Sequence, residues 1–402
     1  MQRISFAWLS PTLTKIGRRF GIDAHYFAKS SAFVILGQVM NILKGIVSGY
    51  LISRLFPAEM YGEYRFVLSV VGTLGVLTLS GMPRAIAREV AQRKNDAELW
   101  WTFRTYSLIC LVGTIAIAGV LVLLPFWGRM NLWAMFLLAA VFFIPTNVGT
   151  AFFGGIVIGR GQFDTSLRAN ALGGVLVIVS TLLMLWLRPS PLLLLAFTAG
   201  IPPIIYLWEL RKLMRNYPSQ KPSKEMFQYA LKITVADIPM TLSWYLDGLL
   251  ISAFFGLKEL AVFSVALMIP EEAKGFLKDF LPISFSRQAA GPDTPARRKH
   301  LVHAVGWMTL VFVVGISLYI AISPFVIPWL FPLYDPAQLV PLTNWAAVML
   351  ITFPSSLFSQ QLEARGNARD VLIGQWLSAA VFVVCLLTMI PSGLVSSHSS
   401  IA

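Results

Sequence analysis

LISRLFPAEMYGEY at residues 51–64 has a counterpart 199 positions further along the chain, LISAFFGLKELAVF at residues 250–263. The triplet Leu-Ile-Ser opens both stretches, and Phe56 corresponds to Phe255. Apolar letters alone can coincide by chance among helices that are rich in leucine and isoleucine. The match therefore decides the fold only if the same offset holds elsewhere in the chain.

The offset does hold across the next segment without a gap. GMPRAIAREVA at 81–91 aligns with FLPISFSRQAA at 280–290, which places a proline over a proline and an arginine over an arginine. Further on, RGQ at 160–162 meets RGN at 365–367 at a slightly longer offset. These shared residues are not all apolar, so they indicate that the chain consists of two sequence repeats.

Composition places both repeats in a membrane. Of the 402 residues, 56% are hydrophobic and 13% are charged, and this charged fraction is about half of that in typical soluble domains. Apolar runs of about 20 residues recur from end to end, and only helices or closed barrels satisfy the backbone in lipid. The runs lack strand alternation, so they predict helices. The eleven predicted spans are 30–55, 64–83, 102–127, 132–157, 169–187, 192–209, 230–255, 260–282, 304–331, 341–362 and 371–391.

The net charge of +13 is compatible with nucleic-acid binding, and also with the excess of Lys and Arg in the cytoplasmic loops of membrane proteins. If the N-terminus lies inside, most of the 32 Lys and Arg residues fall on the cytoplasmic side. The outer side then receives only Arg54, Arg65, Arg129, Arg188 and Lys258. This asymmetry predicts the orientation and excludes the nucleic-acid interpretation.

Two repeats that enter the membrane from the same side form a parallel repeat, an architecture of transporters. The sequence therefore predicts an all-α polytopic membrane protein with two parallel six-helix bundles around a central cavity. The second half ends about where a twelfth span should begin, and we expect a truncated or missing span there. The predicted divisions are a cytoplasmic lead-in at 1–28, an N-terminal bundle at 29–209, a cytoplasmic linker at 210–228, a C-terminal bundle at 229–391 and a tail at 392–402.

Charges inside a membrane span are costly and usually functional, and the repeat provides an internal control for them. Predicted span 2 has no charge over most of its length, whereas the equivalent span 8 carries PEEAKGFLKDF at 270–280. Glu271, Lys274 and Lys278 share one helical face. Either Glu271 and Lys274 simply pair, or the two lysines are cavity cations that bind an anionic ligand and Glu271 is a polar cavity residue.

Spans 1 and 7 repeat this theme. Asn41, Lys44 and Ser48 lie on one face of span 1, and the offset pairs Ser48 with Asp247 in span 7. Lys44 lies near mid-membrane, where snorkelling to an interface is difficult, so we expect a cavity cation or a buried pair with an aspartate of span 7. Asp247 is the better candidate for binding a coupling ion. Asp237, nearer the cytoplasmic end, is the second candidate, or a local cap or ion pair.

Other chemistry has no counterpart in the sequence. A glycine-rich nucleotide-binding loop is missing, the two cysteines lie in apolar runs without a metal-site spacing, and the four histidines lie in loops or tails. The outer loops are too short to hold a catalytic domain. We therefore expect no catalytic residues, no metal site and no cofactor. We also expect that the protein is not an enzyme.

Several motifs resemble one family. FPAEMYGEY at 56–64 resembles the Pro-x-x-x-Tyr-Gly-x-Tyr signature that follows the first helix of polysaccharide-biosynthesis flippases, which belong to the multidrug/oligosaccharidyl-lipid/polysaccharide exporter superfamily. GMPRAIAR at 81–88 resembles the end of that family's second span. DGLLISAFFGLKELAVFSVA at 247–266 resembles its span-7 to span-8 stretch, with Asp247 at a recurring acidic position. The resemblance covers about residues 29–391 and departs from the family in showing fewer spans.

The resemblance implies a flippase that moves a polyprenyl-pyrophosphate-linked oligosaccharide from the inner to the outer leaflet of the bacterial cytoplasmic membrane. Two lobes would rock around a cationic cavity, with membrane lipids and a coupling ion, H+ or Na+, as further partners. The alternative is an ion-coupled multidrug exporter of the same superfamily, which should have an acidic cavity. An O-antigen polymerase or ligase is less favoured, because it requires a long outer loop.

Overall fold

The computed structural model describes residues 36, 37, 39, 40, 43–45, 47–52, 54–92, 99–123, 130–184, 190–214, 224–278, 295–351, 372–374, 376 and 377. Within these ranges the main helices are α1 (Leu43–Ile52), α2 (Ala58–Leu74), α3 (Met82–Ala91), α4 (Leu99–Leu123), α5 (Met130–Arg160), α6 (Phe163–Leu183), α7 (Pro191–Met214), α8 (Lys224–Phe254), α9 (Leu257–Lys278), α10 (Pro295–Leu330) and α11 (Pro336–Met349).

Five of the helices are long and apolar enough to cross a membrane. The apolar stretches are Trp101–Gly119, Leu132–Arg160, Phe163–Leu183, Pro191–Met214 and Val305–Leu330. The described residues contain no β-strand. The prediction of an all-helical polytopic membrane protein is confirmed.

The stretch that revealed the repeat forms the same turn in both halves of the chain. The N–H of Phe56 donates to the carbonyl of Ile52 at 3.1 Å, and the N–H of Phe255 donates to the carbonyl of Ile251 at 2.9 Å. The next position is Pro57 in the first half, with φ −53°, and Gly256 in the second, with φ 99°. A positive φ is accessible to glycine at no steric cost, so different residues close equivalent turns.

The second predicted span differs from the structure at both ends. The sequence predicts one span at 64–83, but α2 begins at Ala58, a 3₁₀ turn follows it at Gly75–Leu77, and α3 begins at Met82. Thr78 is extended, and its hydroxyl donates to the carbonyl of Gly75 at 2.7 Å. The polar residues at the start of α2 therefore belong to a helix, although their composition is typical of a loop.

The two halves of the chain meet along a contact surface that we call the seam. The N-terminal half comprises the described residues up to Met214, and the C-terminal half those from Lys224. Helix α2 packs there against α8 and α9, and α3 packs against α8. One apolar cluster joins residues such as Val67 and Val265 across the seam, and another includes Ile86 and Ile233. Apolar contact therefore holds the halves together at two places along α2 and α3.

Glycines let the two halves approach closely at equivalent points of the seam. A Cβ on Gly49 would overlap the thioether of Met268. In the same way, a Cβ on Gly248 would overlap the hydroxyl of Ser69. Gly49 and Gly248 are 199 positions apart, as are Ser69 and Met268. The packing therefore obeys the offset found in the sequence, and the repeat is a structural one.

Candidate functional site

Two adjoining cavities lie at the seam. The α1 cavity, of about 180 Å³, is lined by residues of α1, α2 and α9, with a few from α6 and α7. The α8 cavity, of about 600 Å³, is lined mainly by α2, α5, α8 and α9. Arg65, Ser264 and Glu271 line both, so these three side chains stand where the cavities meet.

The cavities occupy equivalent places in the two repeats. Ser48 lines the α1 cavity, and Asp247, its equivalent at the offset of 199, lines the α8 cavity. Arg65 and Ser264 are related by the same offset, and each lines both cavities. The repeat therefore relates these positions of the two cavities to each other, and it also shows where their side chains differ.

Four of the predicted site residues line these cavities. Lys44 and Ser48 face the α1 cavity from α1, Asp247 faces the α8 cavity from α8, and Glu271 of α9 faces both. The buried Oγ of Ser48 has no hydrogen-bond partner among the described residues. One carboxylate oxygen of Asp247 accepts a hydrogen bond from the N–H of Gly248 at 2.6 Å.

The remaining predicted residues are placed elsewhere. Lys274 is half-buried one turn beyond Glu271 and is not among the described residues that line either cavity. Lys278 ends α9, and its side chain lies outside the described part of the chain, as does Asn41 altogether. The predicted roles of these residues remain predictions.

Arg65 and Glu271 form a loose ion pair across the seam. One guanidinium nitrogen of Arg65 lies 4.0 Å from a carboxylate oxygen of Glu271, and their side chains are 27% and 41% exposed. The neighbouring Glu272 also lines the α1 cavity, and its carboxylate lies against Gly45, where a Cβ would leave no room for it. Two carboxylates of α9 therefore face the α1 and α2 cations Lys44 and Arg65.

Asp237 makes a closer pair away from the cavities. It is 7% exposed, and Arg84 of α3 donates to both carboxylate oxygens, at 3.2 Å and 2.5 Å. One turn before it, the hydroxyl of Thr234 accepts from the N–H of Gly81 at 3.0 Å. The partner of Asp237 thus comes from the other half of the chain, and the pair stabilises the seam.

Sequence reasoning missed Arg65 and Arg84 because the charge count assigned Arg65 to the outer end of predicted span 64–83 and Arg84 to the cytoplasmic side just after that span. In the structure Arg65 lies two turns into α2 and Arg84 lies in α3. A usable signal for Arg65 existed. The offset pairs it with Ser264, which lies several residues inside predicted span 8 at 260–282, so the equivalent span had to begin before residue 64 and place Arg65 deeper in the membrane. No comparable signal in the sequence points from Arg84 to Asp237.

The comparisons with known proteins agree with this architecture. A family described as "Polysaccharide biosynthesis protein" matches residues 27–277. No curated protein matches the chain. Among solved structures, the chain is similar to an outward-facing multidrug resistance MATE family transporter of the MOP superfamily, with 18% identity and a TM-score of 0.68. That alignment covers 94% of this chain and 89% of the other.

Two further structures are similar. A MATE protein in the straight conformation has 17% identity and a TM-score of 0.66, with 89% of this chain and 86% of that chain covered. A MOP superfamily transporter from Pyrococcus furiosus, described as having a binding pocket of reverse polarity that suggests a different function, has 17% identity and a TM-score of 0.65. The alignment covers 87% of this chain and 84% of that transporter. At such identities the likeness shows the fold.

Proposed function

The chain belongs to the polysaccharide biosynthesis protein family and has the fold of MOP-superfamily transporters; from that premise we propose that it flips a polyprenyl-pyrophosphate-linked oligosaccharide from the inner to the outer leaflet. Family and fold together indicate a transporter rather than an enzyme. The proposed setting is a bacterial cytoplasmic membrane with the N-terminus inside, and the proposed movement is a rocking of the two halves about the seam.

The observation that supports this proposal is a pair of cations at the cavities. The chain's membership of this family gives that observation its meaning. Lys44 and Arg65 both line the α1 cavity, and Arg65 also lines the α8 cavity. A guanidinium binds phosphate through two parallel hydrogen bonds, and an ammonium binds it as a point charge. Together they fit a pyrophosphate, in which two phosphate groups are joined.

Lys274 and Lys278 extend the proposed site along α9. Both follow Glu271 on one face of the helix, and Lys278 is the last residue of α9. We assign them to the entry of the anionic head group, with Asn41 and Ser48 as polar contacts for the sugars. Asp247, in the α8 cavity, is the proposed site for H+ or Na+, and Asp237 is the second candidate.

One observation favours a second candidate function. In the α8 cavity the described carboxylates, Asp247 and Glu271, outnumber the single cation Arg65. A net negative cavity suits a lipophilic cation, as in a multidrug exporter. The two functions therefore predict opposite preferences for the charge of the transported molecule.

Reconstitution distinguishes them. We expect liposomes that contain the purified full-length protein to expose a fluorescent polyprenyl-pyrophosphate disaccharide to a membrane-impermeant reagent, at a rate above that of protein-free liposomes. The same liposomes should not transport tetraphenylphosphonium. Transport of tetraphenylphosphonium without flipping of the lipid would contradict the proposal and support the exporter.

Lysine variants test the proposed site within the same assay. Lys44→Ala, Lys274→Ala and Lys278→Ala should each lower flipping while the amount of protein in the membrane stays near normal. Each Lys→Arg change should retain part of the activity, because a point charge is sufficient for positioning. Lys224→Ala, at the exposed first turn of α8, is the matched control and should flip at the wild-type rate.

A further inference from the structure

Helix α3 is anchored in the N-terminal half and reaches across the seam to α8. On its own side it packs closely against α5, where a Cβ on Gly155 would overlap Ile86 and a Cβ on Gly159 would overlap the carbonyl oxygen of Ala87. Glycine contacts of this kind hold helices together at short distance in a membrane. A separation of the two halves at this place would therefore occur between α3 and α8.

Two arginines of α3 make charged contacts with the first part of α8. Arg84 donates to both carboxylate oxygens of Asp237, at 3.2 Å and 2.5 Å. One turn further along α3, the central guanidinium carbon of Arg88 lies 4.7 Å from the ring centre of Tyr229, within the range of a cation–π contact. Polar groups can exchange a protein partner for water, so these contacts can break and re-form.

The contact between α3 and α8 closes one end of the α8 cavity. Thr78 and Ser80 line this cavity from the N-terminal half, and Thr241 lines it from the C-terminal half. Next to Ser80, the N–H of Gly81 donates to the hydroxyl of Thr234 at 3.0 Å. The two halves therefore touch directly beyond the cavity, and the ion pair of α3 and α8 lies at the same contact.

The repeat does not reproduce this ion pair. At the offset of 199, Arg84 corresponds to Ile283 and Asp237 corresponds to Gln38, and neither of these counterparts is charged. The pair is an addition at one of two equivalent sets of positions. It therefore acts at a single place on the seam, and breaking it releases the charged part of the contact as a whole.

We infer that α3 and the segment of α8 from Tyr229 to Asp237 form a latch, which keeps this end of the α8 cavity closed until the pair of Arg84 and Asp237 breaks. The Arg84 side chain is 35% exposed, so water already reaches one partner of the pair. Opening then exposes the carboxylate to water, and closing restores the pair. The inference rests on the proposed movement of the two halves and not on the identity of the transported molecule.

Thiol labelling of the full-length protein tests the latch. Cys110 and Cys385 are replaced by alanine, and Thr241→Cys then places one thiol in the α8 cavity, one turn beyond Asp237. Inside-out and right-side-out membrane vesicles are treated with a membrane-impermeant maleimide, and the labelling rate is measured from each side. In the same background Lys224→Cys, at the exposed first turn of α8, identifies the side on which the latch lies, whatever the orientation of the protein.

Removing both charges of the pair should open the latch. Arg84→Gln combined with Asp237→Asn leaves no buried carboxylate without its cation. While the open state is a minority, the labelling rate follows its population. We therefore expect Thr241→Cys to react about five- to tenfold faster from the latch side, the scale by which charged hydrogen bonds exceed neutral ones. The rate from the opposite side should not rise. Arg168→Gln with Asp164→Asn removes an exposed ion pair within α6 and should leave both rates unchanged.

Tyr229→Leu is a second and independent variant. It removes the aromatic ring under Arg88 but keeps an apolar side chain at this position of the apolar cluster. We expect the labelling rate from the latch side to rise by about two- to fivefold, the scale of a cation–π contact. If the double variant does not reach the membrane, this variant alone decides.

Two outcomes would overturn the inference. Unchanged labelling in both the double variant and Tyr229→Leu would mean that the contact of α3 with α8 does not limit access to the cavity. Equal increases from both sides of the membrane would mean that the variants loosen the whole protein, and that the pair has only a structural role. Labelling requires no substrate, so a failure of the proposed lipid flipping would appear in the reconstitution assay and not in this experiment.

Discussion

The α1 cavity and the α8 cavity are built from equivalent positions of the two repeats, but they carry different charges. The α1 cavity has two described cations, Lys44 and Arg65, facing two carboxylates, whereas in the α8 cavity two carboxylates face Arg65 alone. Their glycine contacts are nevertheless equivalent, at Gly49 and Gly248. The scaffold is symmetric and the charges are not.

This difference separates what the fold requires from what transport requires. A feature present in both halves, such as the turn at Phe56 and Phe255, belongs to the scaffold. A cavity charge present in one half only is not required by the repeated scaffold around the cavities, because the other half packs there without it. Ser48 and Ser264 stand where Asp247 and Arg65 stand in the opposite repeats, so Asp247 and Arg65 are the residues to test for function.

The largest effect is expected for an ion pair of the seam outside the cavities. Arg84→Ala leaves the carboxylate of Asp237 buried without its guanidinium. Although the Arg84 side chain is 35% exposed, the carboxylate left behind is buried, so the free energy of unfolding should fall by about 3 kcal/mol, at the low end for a broken buried pair, measured by denaturant titration of the purified protein. Arg168→Ala, which removes an exposed pair with Asp164, should cost less than about 1 kcal/mol. Equal losses would mean that the Arg84 pair is not part of the scaffold.

The next effect concerns the backbone contact between the halves at Gly62. A Cβ there would overlap the carbonyl oxygen of Leu257, and a backbone atom cannot move aside as the end of a side chain can. Gly62→Ala should therefore destabilise the protein by about 1–3 kcal/mol through overpacking. Gly154→Ala is the control, because that helical glycine has open space at its Cβ. If Gly62→Ala and Gly154→Ala lower the free energy of unfolding by the same amount, the two halves do not make this close contact at Gly62.

A smaller effect should separate the two cavities directly. Asp247→Asn should lower transport by about tenfold, within the range of coupling energies between sites, while the amount of folded protein in the membrane stays unchanged. Ser48→Ala, at the equivalent position of the α1 cavity, removes one hydroxyl contact and no charge, so it should lower transport less than Asp247→Asn does. Transport by Asp247→Asn that is unchanged, with or without an ion gradient, would remove Asp247 from the coupling role.

The symmetric part of the molecule could be predicted from the sequence, because repeats leave a fixed offset between residues that are far apart in the chain. That offset identified the equivalent turns and the pairs of cavity positions, including Ser48 with Asp247. The asymmetric contacts could not be predicted in this way. The pair of Arg84 and Asp237 joins residues 153 positions apart, and no spacing within either repeat encodes it.

The depth of Arg65 in the membrane was also predicted wrongly, and the physical reason is a different one. Counting positive charges works for loops, because Lys and Arg there remain in water and follow the membrane orientation. The polar stretch before Arg65 looks like a loop by composition, but it is the first two turns of α2. A charge count alone cannot distinguish a cation in a loop from a cation that faces a cavity between helices.

Arg65 and Arg54 provide the most direct test of the central claim, that a cavity cation holds an anionic lipid head group. The sequence assigned both arginines to the outer side. In the structure Arg65 lines both cavities, whereas Arg54 is exposed and lies 4.6 Å from the ring centre of Tyr50. The measurement is the rate at which reconstituted Arg65→Ala and Arg54→Ala flip a polyprenyl-pyrophosphate disaccharide, at equal amounts of folded protein. We expect a loss of about tenfold or more for Arg65→Ala, the scale of a charge-assisted phosphate contact, and near wild-type flipping for Arg54→Ala. Equal rates for the two variants would contradict the claim.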